Sequence, residues 1–443
     1  MPTIADTPAG KRNAFAHLGA LLLDAGYAVT DVHMALGKVA EKTGHPEMTF
    51  AILPQTVMVS DEPSGAATVV NATGAELPFR TTARVSALVR KLATGKVPVS
   101  GFSKHIQTIR DEAVAPGLWA VSLGSGLLSA GLGMLFRIPW WSIITAAILG
   151  MIIGLVIYGA GRVRGAGTII TFVIAFCSTF AVGVLASTLD VGPIPLFAVC
   201  APLAVLVPGA TITNGLLELS STDMVTGSSR LMYGVLVLGF MTTGIGAAAR
   251  VTGLTINSHG ATLLGDVHGL GALGERRGLA DFDGLGMLGG LSALERLPPL
   301  WVSWIGVVGV AMGISLAFGA GRMLTLLSIP AMMLTYAGIT TLSPWIGSIG
   351  AAGVVACVFF FLARGLERRV PRAPAIVTFR PAFLLLVPGV VGLVALTTFD
   401  HAALITALGT FLSLSIGTKT GAVLADLVFR HEAVMQDEIG LRV

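Results

Sequence analysis

From Pro116 onward the chain is a succession of apolar runs, each near the roughly 20 residues a helix needs to cross a bilayer core. They fall near 117–136, 139–160, 167–188, 193–208, 230–252, 300–321, 324–342, 345–363, 377–399 and 402–429. The chain therefore reads as a mainly α-helical polytopic membrane protein with ten transmembrane helices. Composition agrees, because only 12% of residues are charged and 54% are hydrophobic, where a soluble domain carries about a quarter charged residues. Trp119, Trp140, Trp141, Trp301, Trp304 and Trp345 sit near span ends, as an interfacial aromatic belt would place them. The fourth run is short, and the ninth is interrupted by Pro388-Gly389.

Charge sets the expected orientation. With the N-terminus in the cytoplasm, inside loops hold Arg162, Arg164, Arg230, Arg322, Arg364, Arg368, Arg369, Arg372 and Arg380, while short outside loops hold Arg137, Asp190 and Asp400. Ten spans then put both termini inside, in the cell (plasma) membrane. The opening MPTIADTPAGKR lacks the basic-then-apolar order of a cleaved signal peptide, so the first span is expected to direct insertion. The net charge of +4 is small and its basic residues flank membrane runs, so the lipid bilayer is the expected partner and nucleic acid is not. Cys177, Cys200 and Cys357 lie in apolar runs and read as packing residues.

Residues 1–115 form the substantial soluble part, expected as a small α+β domain of order α-α-β-β-β-α-α. Phe15 to Ala25 has helical spacing and stops near Gly26. Thr30-Asp31 can cap a second helix from Val32 to Thr43. MTFAIL, TVMVS and ATVVNA cluster β-formers between turn residues. Asp24, Asp31, His33 and His45 are its titratable candidates; a capping aspartate and a surface histidine fit better than a metal or catalytic role. The membrane part divides into a five-helix unit at 116–253, a glycine-rich connecting loop at 254–298, a second five-helix unit at 299–430 and a cytoplasmic tail at 431–443. A metal site from His259, Asp266 and His268 in that loop is possible, but spacing alone is a weak signal; joining the two halves suits the loop better, and no metal or cofactor is expected.

The two halves look related. LAVLVPGATITNG at 203–215 parallels FLLLVPGVVGLVA at 383–395, with Pro208 to Pro388 and Gly209 to Gly389 both offset by 180. Each motif falls at the fourth run of its half. An odd-numbered unit repeated directly in sequence sits in opposite orientations in the membrane, the 5+5 inverted repeat of many secondary transporters.

Between the runs that end at Val207 and begin at Leu231 the chain breaks and turns polar. Proline removes a backbone donor and glycine permits otherwise forbidden dihedrals, so such a break at membrane depth must be satisfied by protein or by a water-filled cavity. Pro208, Gly209, Thr211, Thr213 and Asn214, with Pro388 and Gly389 of the second break, are therefore expected along a transport path. Glu218 and Asp223 offer carboxylates for proton coupling and Arg230 is the stretch's cation; the alternative is a solvated amphipathic helix from Glu218 to Arg230. Lys419 lies in the last run, where an unpaired charge costs about 2.5–3.5 kcal/mol. Gly417 and Gly421 bracket it and let another helix approach closely, and Asp426 lies about two turns on, on the same face. Lys419 reads as a carboxylate binder, or else as a side chain snorkelling to an interface. No G-x-x-x-x-G-K-[ST] phosphate loop occurs, so energy is expected from a gradient. No nucleophile–base constellation is convincing, so an enzyme is not expected.

These stretches resemble the threonine/serine exporter family over nearly the whole chain. LLLDAGYAVTDVHMALGKVAEKTG at 21–44 looks like the family's opening helix pair, and VPGATITNGLLELSSTDMVTGSSRL like its most distinctive stretch. LLLVPGVVGL resembles the V-P-G of its C-terminal half. The motif members here are Pro208, Gly209, Thr213, Asn214, Asp223, Gly227 and Arg230. The family's usual R-D after T-N is Leu217-Glu218 here, Thr222 replaces a glycine, and a glutamate expected soon after the arginine is absent near Tyr233. The resemblance implies efflux of small hydroxylated amino acids, L-threonine and L-serine, driven by the proton motive force. A small dicarboxylate such as succinate is the rival substrate. A membrane-anchored sensor or hydrolase acting through the N-terminal domain is the further alternative, and assembly into a homo-oligomer stays open.

Overall fold

Residues 8–111 run α1 (Pro8–Asp24), α2 (Val29–Lys42), β1 (Met48–Leu53), β2 (Thr56–Asp61), β3 (Ala67–Asn71), α3 (Phe79–Leu92) and α4 (Phe102–Asp111), in the order expected. The strands make an antiparallel sheet with β2 in the middle. Val57 and Val59 of β2 are fully buried while Met58 between them is exposed, the period-2 alternation of a half-buried strand. That buried face meets Phe15, Leu18, Leu21 and Leu22 of α1 and Phe102 of α4 in one apolar core. Asp24 is structural: its carboxylate accepts from Thr73 N (2.8 Å) and Thr73 Oγ1 (2.9 Å) and pairs with Arg110 (3.3 Å), tying the end of α1 to the β3–α3 connection and to α4.

The turn between α1 and α2 is tightly specified. Gly26 has φ +79, a left-handed conformation that a Cβ would penalise. Gly26 N donates to Leu23 O (2.9 Å) and Tyr27 N to Leu22 O (3.2 Å), the two bonds of a Schellman helix end. Helix α2 begins at Val29, earlier than the Val32 expected, and its cap is not Thr30-Asp31. The N-cap position is Ala28, which has no side-chain acceptor to offer.

The structure is a computed structural model describing residues 7–62, 65–95, 97–160, 167–190, 192–219, 221, 223–257, 296–369, 393 and 401–440. Pro388, Gly389, His259, Asp266 and His268 lie outside the described residues. The membrane part contributes α5 (Leu118–Leu135), α6 (Trp140–Ala160), α7 (Gly167–Thr188), α8 (Leu196–Cys200), α9 (Gly209–Leu219), α10 (Met224–Thr252), α11 (Leu300–Ala317), α12 (Arg322–Arg369) and α13 (His401–Gly440). Among the described residues, 7 helices are long and apolar enough to cross a membrane, or up to 8 if the bent pair at α8–α9 is one span. This is a multi-pass membrane protein. Helix α12 is broken by a non-helical Gly347 (φ 73, ψ 165), near the start of the expected run 345–363.

Small residues set the helix contacts, because apolar side chains gain nothing by leaving lipid and close backbone approach must supply the packing. Gly124 of α5 meets Gly313 and Ala317 of α11, and Gly131 meets Gly306 and Val310, so the two helices run antiparallel. Gly244 of α10 meets Phe172 of α7 and Thr252 meets Gly183, a parallel pair. Gly417 of α13 packs on Gly353 of α12 and Gly421 on Cys357, again parallel. This is the close approach expected of the glycines that bracket Lys419.

The N-terminal unit is docked on the membrane helices. Phe79 N donates to Phe318 O (3.0 Å) and Arg80 N to Gly319 O (3.2 Å) at the end of α11. The Phe79 and Phe318 rings stack 5.5 Å apart. Arg90 pairs with Glu367 of α12 at 3.0 Å.

Candidate functional site: a bent helix capped by the N-terminal unit

Helix α8 continues as a 3-10 turn, Ala201–Leu206, and the chain then bends by 74° into α9. Pro208 is the hinge. Val207 before it is extended (ψ 122), as a residue preceding proline prefers. Pro208 has no N–H to lose, and its carbonyl receives Ile212 N (3.0 Å) to start α9. Gly209 and Thr213 are buried; Pro208, Thr211 and Asn214 are half-buried.

Glu218, near the end of α9, is fully buried at 0% exposure, so a solvated helix does not describe it. Its Oε1 pairs with Arg230 of α10 at 3.0 Å and accepts from Val29 N of the N-terminal unit at 2.9 Å. The missing cap of α2 is thus supplied by a carboxylate 189 residues away. A carboxylate suits that position, since it meets both an unpaired N–H and the positive end of the helix dipole. Its other oxygen, Oε2, is buried with no hydrogen-bond partner among the described residues, as are Thr213 Oγ1 and Thr226 Oγ1. A buried acceptor without a donor costs about 1–3 kcal/mol, and such atoms in one short stretch mark a place built for something more than packing.

The remaining predicted residues divide by location. Asn214 Nδ2 donates to Gly26 O at 3.2 Å, so it too faces the α1–α2 turn. Lys419 reaches α9's end: its Nζ donates to Ser221 Oγ at 2.5 Å, and Ser221 Oγ donates to Leu217 O at 2.7 Å. Asp223 caps α10, its Oδ1 accepting from Thr226 N at 3.3 Å. Asp426 is exposed on α13.

Sequence reading missed the other half of this seam. Gly26 O, Val29 N and Asp31 come from the N-terminal unit, Arg364 and Glu367 from α12. Burial raises the Asp31 carboxyl above the usual aspartate range, against the Arg364 and Lys419 charges, which pull it down, and with Glu367, which raises it further. Acids and bases from five helices therefore meet at this seam. That chemistry can hold an ammonium group, a carboxylate or a proton. Among the described residues no group of His, Cys, Asp and Glu could hold a metal ion.

No curated protein and no solved structure matches the chain. The family profile described as "Putative threonine/serine exporter" matches residues 13–252, a stretch that holds the N-terminal unit, the bend and the Glu218–Arg230 pair. The chain belongs to the threonine/serine exporter family.

Proposed function

We propose that the protein is a secondary-active exporter of L-threonine and L-serine in the cell membrane, driven by proton entry, with both termini cytoplasmic. The observation that carries this is Glu218: a fully buried carboxylate beside a broken helix, with one oxygen on Arg230 and the other unpartnered among the described residues. A carboxylate that can hold a substrate ammonium or a proton, but not both, makes the two compete. Exchange of a proton for an amino acid follows from that competition. Asn214 and Lys419 supply donors for the substrate carboxylate, and Thr211 and Thr213 supply partners for a side-chain hydroxyl. Glu218 suits the coupling role better than Asp223, whose carboxylate caps α10, or Asp426, which is exposed.

The ten-span, 5+5 inverted-repeat architecture belongs to the same reading. The first helices of the two halves, α5 and α11, pack antiparallel through matched glycines, as mates related by an axis in the membrane plane would. The α7–α10 and α12–α13 pairs are both parallel, as expected of equivalent third and fifth spans. In this reading Pro388 and Gly389 border the path from the second half.

Arg230 and Lys419 are the observation that favours a dicarboxylate. A buried Glu218 opposes it, because a dicarboxylate has no ammonium to offset that charge. Proteoliposomes preloaded with unlabelled L-threonine test the choice: uptake of labelled L-threonine, competed by L-serine and not by succinate, is expected. Counterflow competed by succinate and not by serine would replace the amino acid with a dicarboxylate.

A further inference from the structure

Two residues of α9, Asn214 and Glu218, both spend hydrogen bonds on one turn of the N-terminal unit. Asn214 Nδ2 donates to the Gly26 carbonyl (3.2 Å), and Glu218 Oε1 accepts from the Val29 amide (2.9 Å). The turn thus presents a carbonyl acceptor to the donor and an N–H donor to the carboxylate. A free α-amino acid presents the same pair of opposite polarities, as carboxylate and ammonium. The turn is held in shape without help from the membrane helices, by the left-handed Gly26 and the two Schellman bonds. Helix α2, by contrast, has no cap of its own and takes Glu218 in its place. Close by, Glu218 Oε2 and Thr213 Oγ1 are buried and unpartnered among the described residues, so the turn fills the site incompletely.

We infer that the Gly26–Val29 turn is a tethered mimic of the transported amino acid, occupying the substrate's polar contacts on Asn214 and Glu218 until substrate displaces it. This rests on the reading that the bend borders the transport path. The N-terminal unit has a separate hold on the membrane part, at Phe79 and Arg80 on the Phe318–Gly319 corner, which has no share in the turn's two bonds. The turn can leave while that corner stays docked. Cytoplasmic amino acid and the turn then compete for one set of partners, and the exporter rests closed when substrate is scarce.

The structure offers a narrow perturbation. Val29 is the first residue of α2, its N–H donates to Glu218 and to no other group among the described residues, and Ala28 before it is extended (φ -65, ψ 149). Proline is well tolerated at a first helical position and wants an extended predecessor. Val29→Pro therefore deletes one donor and keeps the helix. Loss of a bond to a charged acceptor shifts an equilibrium by about tenfold or more, so the turn's occupancy should fall by that factor. Full-length protein in lipid nanodiscs is compared by amide hydrogen exchange at Gly209–Leu219, with Val29→Ala, which keeps the N–H, as control. About tenfold faster exchange in Val29→Pro alone is expected. In proteoliposomes the same variant should show a KM for cytoplasmic-side L-threonine lowered several-fold with no lower maximal rate. In the unmodified protein, saturating L-threonine should speed exchange of the amides from Tyr27 to Val32.

Unchanged exchange at Gly209–Leu219 in a Val29→Pro protein that elutes as folded would overturn the inference. So would threonine that is transported yet slows exchange at the turn. If Val29→Pro does not fold, the threonine-dependent exchange of the unmodified protein decides alone. Faster exchange in Val29→Pro with no threonine transport by either protein would sustain the displaceable turn and remove threonine as its competitor.

Discussion

Replacing Glu218 by alanine should be among the most destabilising single changes available at the seam. Arg230, its side chain only 14% exposed, would lose its partner at 3.0 Å, and the first amide of α2 would lose its acceptor at 2.9 Å. Breaking a buried ion pair from one side costs about 3–5 kcal/mol because the stranded charge stays desolvated. A lost helix cap adds about 1 kcal/mol. Arg230 is not fully enclosed, so a total of about 4 kcal/mol is expected, from the lower end of those ranges. Glu218→Gln retains an oxygen for Val29 and removes only the charge, and should cost less. Arg230→Ala should also destabilise, and the Glu218→Ala, Arg230→Ala double variant should cost well under the sum, since neither charge is then stranded. Unfolding of purified protein in mixed micelles on titration with sodium dodecyl sulfate reads all four. Single-variant effects that add to within about 0.5 kcal/mol would show uncoupled, solvated groups and refute the reasoning.

Other contacts make further predictions. Gly417→Val should separate α12 from α13, because even a methyl there runs into the Gly353 carbonyl oxygen; lower expression and a lower melting temperature are the readout. Gly26→Ala should cost about 1 kcal/mol through the left-handed backbone alone, read as a lower unfolding midpoint. Asp31 has a folded-state pKa above its unfolded value, so the folded chain holds its proton longer. Stability from this group is complete below the ordinary aspartate range and is lost as pH rises through the folded value. Asp31→Asn should flatten that fall in a pH series of melting temperatures, and an unchanged slope would refute the assignment. Lys419→Ala, which frees Ser221 Oγ of a donor at 2.5 Å, should reduce threonine transport more than it reduces stability.

Some of this was legible in the residues and some was not, for physical reasons. Apolar runs report spans because lipid imposes one length on every helix, and most of the described membrane helices begin and end within a few residues of an expected run. The Pro208-Gly209 break was visible because proline acts on its own backbone. Gly417 and Gly421 announced close approach, although not the partner, α12. The start of α2 was misread because Thr30-Asp31 looks like a cap by local rules, while the acceptor used is Glu218. Nothing within reach of Val29 along the chain signals that. Glu218 itself could also be read as a solvated residue on an amphipathic helix, because the groups that meet its carboxylate, Arg230 on α10 and Val29 of the N-terminal unit, are brought to it only by folding. The seam joins groups separated by 188 residues or more, and only three-dimensional docking brings Gly26, Val29 and Asp31 to Asn214, Glu218 and Lys419.

In the proposed mechanism Glu218 exchanges a proton for an amino acid. Its most direct test is labelled L-threonine flux in proteoliposomes with and without an imposed pH gradient, comparing the unmodified protein with Glu218→Gln. Uphill threonine movement in the unmodified protein should collapse with the gradient, and in Glu218→Gln the gradient should no longer drive accumulation. Gradient-driven accumulation that survives Glu218→Gln, or no threonine flux above empty liposomes, would contradict it.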